Sequence, residues 1–211
     1  MSAAQQIAEY AGSLFDVVGA SLLPGGDNLL IVGLESTEER NLDEFGHVRG
    51  VFQMYGFKKH AGPKLESLLN FIRSKGFAAE LMGRHGYPLM GRHGYPPEGD
   101  VNLKVAAIRA GLGKRGKSTV VLHPQYGPRL RFMAIKTDAP LQPLMHSAPT
   151  DEESSVCNGC SICIDVCPTK ALEPYQMPDT SLCLSNVSPQ DEDGRSILCD
   201  KCLHLCPAAE I

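Results

Sequence analysis

All eight cysteines of this 211-residue chain fall between positions 157 and 206, and their spacing is the feature of the sequence that most directly implies chemistry. Cys157, Cys160, Cys163 and Cys167 read C-x2-C-x2-C-x3-C and are followed by Pro168. Cys199, Cys202 and Cys206 read C-x2-C-x3-C before Pro207, and Cys183 stands alone between the runs. Thiolates are soft ligands that select zinc, copper(I) or iron-sulfur clusters. Zinc sites use isolated C-x2-C pairs rather than three close cysteines, a fourth and a proline. The start, MSAAQQIAEYAGSLFDVV, has no basic segment followed by a cleavable apolar run, so a cytoplasmic protein with reduced thiols is expected rather than a disulfide framework.

The first run has the spacing found in bacterial two-cluster ferredoxins, where three thiolates reach one [4Fe-4S] cubane and the fourth, just before proline, ligates the other. Applied here, Cys157, Cys160, Cys163 and Cys206 hold cluster 1, and Cys167, Cys183, Cys199 and Cys202 hold cluster 2. Every cysteine is used. Gly159 and Ser161 suit tight packing around a cluster, and Ile162, Ile164, Val166 and Leu205 are expected to exclude water from it. Clusters of this kind move electrons one at a time.

Charge divides the chain at the same place. Residues 151–211 carry 11 acidic and 3 basic side chains, whereas residues 1–150 carry 13 and 17. No run of about eighteen apolar residues occurs, so no membrane span is expected. The Pro-, Ser- and acid-rich stretch APLQPLMHSAPTDEESS precedes the cysteines, which places a domain boundary between residues 1–147 and 148–211.

The elements ahead of that boundary follow from periodicity and punctuation. Residues 2–19 read as an amphipathic helix capped by Ser2, with Ile7, Ala11, Leu14, Phe15 and Val18 on one stripe. NLLIVGL, residues 28–34, reads as a buried strand. Leu42, Phe45, Val48, Phe52 and Tyr55 mark a helix. PKLESLLNFIRSKG marks another, with Pro63 near its start and Gly76 as its stop. FAAEL is a strand. Asp100 is the expected cap of the helix VNLKVAAIRA, which ends at Gly111. STVVLHP is a strand, PQYGPR a turn and LRFMAIKTDAPL a strand.

Two segments invite functional readings. Residues 81–96 are a perfect tandem octapeptide, LMGRHGYPLMGRHGYP, which reads as a loop. Its His85, His93 and paired Arg and Tyr residues either face a ligand or lengthen a tolerant surface loop. GLGKRGKS matches two phosphate-binding strings at once, GxGxxG and GxxxxGK[ST]. Both motifs need a strand entering and a helix leaving. Here a helix enters and a strand leaves, which leaves an iron-sulfur NTPase as the least favoured alternative.

From Ala106 to Leu141 the chain reads AAIRAGLGKRGKSTVVLHPQYGPRLRFMAIKTDAPL, and the cysteine run and the lone Cys183 follow. The order AGLGxxGK, strand, P-x-YGP-R, strand ending TDxPL and CxxCxxCxxxCP resembles that of epoxyqueuosine reductases and corrinoid-dependent reductive dehalogenases. The resemblance covers residues 100–207 well and 28–80 more loosely. It implies an α/β (α+β) nitroreductase-like core that binds cobalamin or another corrinoid, with a C-terminal ferredoxin-like module of two [4Fe-4S] clusters feeding it electrons. Gly111, Gly113, Gly116, Lys117 and Tyr126 become candidate cofactor contacts. The glycines suit either close approach to a large ligand or a tight helix-to-strand corner. Lys114, Arg115 and Lys117 suit a phosphate, tRNA or simply solvent.

The resemblance implies an acidic proton donor before the AGLG helix. Pro97 occupies the aligned position, which makes Glu98 and Asp100 the catalytic candidates, with Tyr87 or Tyr95 for a dehalogenase-like donor. The resemblance therefore implies an oxidoreductase acting on a small molecule or on a modified nucleoside such as one in tRNA, supplied by an external low-potential electron donor. The alternative is an electron-transfer or corrinoid-reducing partner protein without substrate chemistry of its own.

Overall fold

The computed structural model describes residues 1–23, 25–49, 51–84, 87–88, 102–145 and 153–209. Its centre is a four-stranded antiparallel sheet in the order β1 (Val17–Leu22), β2 (Asn28–Glu35), β10 (Leu130–Thr137), β5 (Ala79–Leu81). Both faces of that sheet are covered. Leu30, Val32 and Leu34 of β2 and Met133 and Ile135 of β10 pack beneath α1 (Ala3–Leu14) and α3 (Gly62–Ser74). Leu29 and Ile31 of β2 and Phe132 and Ala134 of β10 point the other way, against α4 (Leu103–Arg109). Strands buried on both faces have no reason to alternate apolar with polar residues, which is why NLLIVGL and LRFMAI read as nearly continuous apolar runs.

Several elements form where local chemistry puts them. Ser2 caps α1 through a reciprocal capping box with Gln5. Pro63 lies in the first turn of α3, and Gly76 stands just beyond its end with φ +88°. The helix that begins α4 is capped by the Asn102 side chain, which accepts from the N–H groups of Lys104 and Val105. Asn102 therefore takes the role expected of Asp100, which lies outside the described residues. Gly111 closes α4 in the left-handed region, with Gly111 N–H donating to Ile108 O and Leu112 N–H to Ala107 O.

Two expectations fail. The first helix ends at Leu14 rather than near residue 19, and Val17–Leu22 becomes the strand β1, in register with Gly33–Asn28 of β2. β-Branched Val17 and Val18 fit a pleated sheet better than a final helical turn. Residues 42–53 do not form a helix. Glu44–Val48 (β3) and Val51–Gln53 (β4) make a hairpin whose register pairs Val48 with Val51, with Arg49 at φ +52° in the turn. Phe45, His47 and Phe52 form an aromatic cluster on it. Tyr55 instead opens the short helix α2 (Tyr55–His60).

The remaining elements are brief. Gly83–Arg84 (β6) pairs with Tyr87–Pro88 (β7), while most of the octapeptide repeat, including His85 and His93, lies outside the described residues. Lys114–Arg115 (β8) pairs with Val121–Leu122 (β9), a shorter strand than STVVLHP suggests. The cysteine-bearing segment contributes α5 (Ile162–Asp165), α6 (Thr180–Leu184), β11 (Arg195–Ile197) and α7 (Lys201–His204). β11 adds to the edge of β3, opposite Glu44–Gly46. Among the described residues, no helix is long and apolar enough to cross a membrane.

Candidate metal centre

The site begins at the corner around β8, between Gly113 and Gly116. Gly113 has φ +144°, and a Cβ there would stand 2.5 Å from the Leu122 carbonyl oxygen. A Cβ on Gly116 would stand 2.9 Å from Leu122 Cγ and 3.0 Å from Val120 O. These glycines are the inside of a tight helix-to-strand corner. The corner closes with Gly116 N–H donating to Val120 O, and it carries Lys117 and Ser118 outward against the cysteine segment. As the sequence order requires, α4 enters GLGKRGKS and a strand leaves it, so no helix N-terminus aims at the turn.

The turn grips the cysteine segment at successive residues. Arg115 bridges to Glu153, and its carbonyl accepts the Ser154 N–H at 2.9 Å. The Lys117 N–H donates to Cys157 Sγ at 3.3 Å, and the Lys117 ammonium donates to Cys160 O at 2.7 Å. The Lys117 carbonyl accepts the Tyr175 N–H at 2.9 Å. Val120 and Leu122 then pack among Cys157, Cys163, Cys167 and Cys202.

The eight cysteines gather in two quartets. Cys157, Cys160, Cys163 and Cys206 line one cavity together with Lys117, Ser118, Leu122, Val156 and Pro207. Cys167, Cys183, Cys199 and Cys202 line a second with Pro168, Thr169, Leu172 and Met177. Each quartet thus borrows one cysteine from the other run: Cys206 returns to the first, and Cys167 crosses to the second. All eight thiols are free of disulfides.

Their electrostatics reflect that crowding. Burial, followed by the charges of Cys157, Cys206 and Cys160, pushes the Cys163 thiol up to about 11. Burial and the charges of Cys157 and Cys160 raise Cys206 as well. Burial also opposes ionisation of Cys167, but the Thr169 hydroxyl and the N–H groups of Ala171, Thr169 and Leu172 outweigh it and hold that thiol below its usual value. Four thiolates driven toward one small volume repel each other, and a cationic metal core is what relieves the repulsion. Among the described residues no group of His, Cys, Asp and Glu closes on a single metal ion. Thiols of this chemistry, converging four by four with N–H groups turned on their sulfurs, fit a polynuclear iron-sulfur group.

The apolar shell differs in part from expectation: Ile164 packs against the cysteine cluster as expected. Ile162 and Leu205 are exposed, at 38% and 50%, and do not exclude water. That work falls to Val120, Leu122, Ala171, Leu172, Leu203 and Ala208. Short helices of four residues leave half their side chains outside, so adjacency to a cysteine does not ensure burial.

The other candidates are spread out. Gly111 is used in the α4 cap, Gly113 and Gly116 in the corner, and Lys117 faces the first quartet. Tyr126 is half-buried beside the α4 side of the core, tilted against His123 with ring centroids 5.1 Å apart. Among the described residues these five do not build a cradle for a corrinoid. Glu98 and Asp100 lie outside the described residues. A polar cavity of about 410 Å³ opens instead between Ser36–Glu38, Arg129 and Arg131, and Asp200 and His204 of the cysteine segment. Sequence reasoning did not find it, because its walls come from three stretches far apart in the chain.

Residues 153–173 match the family model described as a 4Fe-4S binding domain. The chain is 31% identical over 119 residues to an epoxyqueuosine reductase of Listeria monocytogenes, a match covering 52% of this chain and 30% of that one. Against the epoxyqueuosine reductase of Bacillus cereus it is 25% identical over 203 residues, covering 88% of this chain and 49% of the relative. The chain is thus similar to epoxyqueuosine reductases over most of its length.

The fold agrees with that likeness. The structure of an epoxyqueuosine reductase with an epoxyqueuosine-modified tRNA-Tyr stem loop superposes with a TM-score of 0.65 at 19% identity, covering 98% of this chain and 65% of the other. A reductive dehalogenase whose structure suggests a mechanism for B12-dependent dehalogenation superposes with a TM-score of 0.53 at 15% identity, covering 92% of this chain and 27% of the other. This epoxyqueuosine reductase-like chain spans about half or less of the length of those curated relatives.

Proposed function

We propose that the protein is an iron-sulfur reductase of the epoxyqueuosine reductase kind, in which two [4Fe-4S] clusters supply electrons singly and at low potential to a bound corrinoid. The observation that carries this reading is the pair of crossed cysteine quartets. In it, Cys157, Cys160, Cys163 and Cys206 hold cluster 1, and Cys167, Cys183, Cys199 and Cys202 hold cluster 2. Residues 1–147 form a nitroreductase-like domain and residues 148–211 a ferredoxin-like one. The corrinoid is supported by kinship with dehalogenases described as B12-dependent, and a modified nucleoside in tRNA by the stem loop bound to a related reductase. Glu98 or Asp100 supplies the proton. An external low-potential donor supplies the electrons, and the protein works in the cytoplasm.

A second reading has its own support. The five candidate corrinoid contacts are dispersed among the described residues. On that reading it is an electron-transfer or corrinoid-reducing partner protein.

Anaerobic reconstitution with cobalamin present separates the two. The reductase reading expects about eight irons per chain, bound cobalt and a cobalamin spectrum altered by binding. Iron at that level without cobalt favours the electron carrier, and a chain that takes up no iron rejects both. In the same preparation Cys167→Ala should cost cluster 2 and spare cluster 1, leaving about four irons. Loss of the cluster nearest in sequence to Cys167 would overturn the crossed assignment.

A further inference from the structure

The GKRGKS turn resembles a phosphate loop in sequence, yet its lysine faces sulfur. Lys117 reaches the first quartet twice: through its N–H to Cys157 Sγ at 3.3 Å, and through its ammonium to Cys160 O at 2.7 Å. It lines the same cavity as Cys157, Cys160, Cys163 and Cys206. Among the described residues the ammonium's partner is a carbonyl and not a carboxylate, so its positive charge is not cancelled by an ion pair. Partial burial beside the quartet weakens solvent screening of that charge.

We propose that Lys117 is a positioning and tuning residue that raises the reduction potential of the cluster held by Cys157, Cys160, Cys163 and Cys206. The physical reason is the sign of the electron. Reduction adds one negative charge to the cluster, and a fixed cation at its edge stabilises the reduced form more than the oxidised one. The backbone N–H on Cys157 Sγ acts in the same direction by hydrogen-bonding a thiolate whose charge grows on reduction. Among the described residues no lysine lines the second quartet, where Thr169 and the Ala171 N–H contact Cys167, and the Arg131 guanidinium that faces Cys202 is already paired with Asp43. The two clusters therefore differ in potential, with Lys117 holding the first one up. Because the turn belongs to the α/β half, docking of the two regions and the potential of this cluster are linked.

This inference rests on the two-cluster reading, and the experiment keeps the two apart. The full-length protein is reconstituted anaerobically, its iron and sulfide are counted, and it is titrated with dithionite while the EPR signal of each cluster is followed. In Lys117→Gln, the reduced-to-oxidised ratio of the first cluster at fixed poise should fall about tenfold, equivalent to about 59 mV for a one-electron couple. The second cluster should change less than twofold. Lys117→Arg, which keeps the cation, should restore the first cluster to within about threefold of wild type, and Lys114→Gln, an exposed cation of the same turn, should leave both clusters unmoved.

An unchanged first cluster in Lys117→Gln, or an equal shift of both clusters, overturns the proposal. If the glutamine variant loses iron, Lys117→Arg decides: potentials near wild type support the proposal, and a tenfold fall with the cation retained overturns it. Failure of the wild-type protein to bind two clusters would reject the underlying reading instead.

Discussion

Among the described residues, positions 1–145 bury aliphatic and aromatic side chains contributed by long elements, whereas in 153–209 cysteines make up half of the buried hydrophobic side chains. In the first region β2 and β10 are eight residues each, and Leu29, Leu30, Ile31, Val32, Phe132 and Ile135 are at most 1% exposed. In the second, helices α5, α6 and α7 have four or five residues, and the apolar cluster counts Cys157, Cys163, Cys167 and Cys202 among its buried members. Seven of the ten exposed large hydrophobic residues named among the described ones, from Val156 to Leu205, belong to this second region. Helices so short do not persist on propensity. The first region can stand on its own core, while the second needs something at the centre of each quartet.

That contrast can be broken most decisively by stripping the iron. Chelation of the reconstituted protein should remove hydrogen-exchange protection from residues 153–209 while the strands β1, β2 and β10 keep theirs. Retained protection in the cysteine segment would mean that the protein matrix alone holds it. The converse test weakens the first region. Phe132→Ala, at a position 1% exposed between β2 and α4, should cost about 3–5 kcal/mol in urea unfolding at fixed cluster content.

The smallest expected effect sharpens the first region further. Lys104 is buried at 8% exposure, donates to the Thr119 hydroxyl at 2.9 Å, and is pushed down to about 8 by burial. Below that pH the lysine is charged in both folded and unfolded chains, and the cost of burying the charge is paid in full. Between about 8 and the unfolded value of about 10.4 the unfolded chain binds more protons, so stability should rise with pH. Urea midpoints at pH 7.5 and pH 9.5 should show that rise in the wild type and a flatter profile in Lys104→Met, by less than the cost of Phe132→Ala.

How much of this was legible in advance depended on whether the deciding partner was local. NLLIVGL, PKLESLLNFIRS, FAAEL and LRFMAIKT announced their elements, because caps, stops and apolar runs are written within each segment. Residues 42–55 did not. Leu42, Phe45, Val48, Phe52 and Tyr55 recur at helical intervals, but the Arg49 turn makes a hairpin, and its edge is completed by Arg195–Ile197 some 150 residues away, where Arg195 also pairs with Glu44 at 3.1 Å. No local window contains that partner. Val17–Leu22 was misread for the same reason, since β2 decides it.

The candidate site divides in the same way. By itself the sequence determined the ligand chemistry, because thiolates at intervals of two and three residues, with prolines after the fourth cysteine of one run and the last of the other, constrain what they can hold. Only the tertiary structure decided what surrounds them. It turned GLGKRGKS from an apparent phosphate loop into a corner that presses Lys117 onto Cys157 and Cys160, and it left Ile162 and Leu205 in water while Val120 and Leu122 reached in from the other region. Ligand identity is a property of side-chain type and spacing along the chain; the environment of a ligand is set by whatever distant segment the fold packs against it.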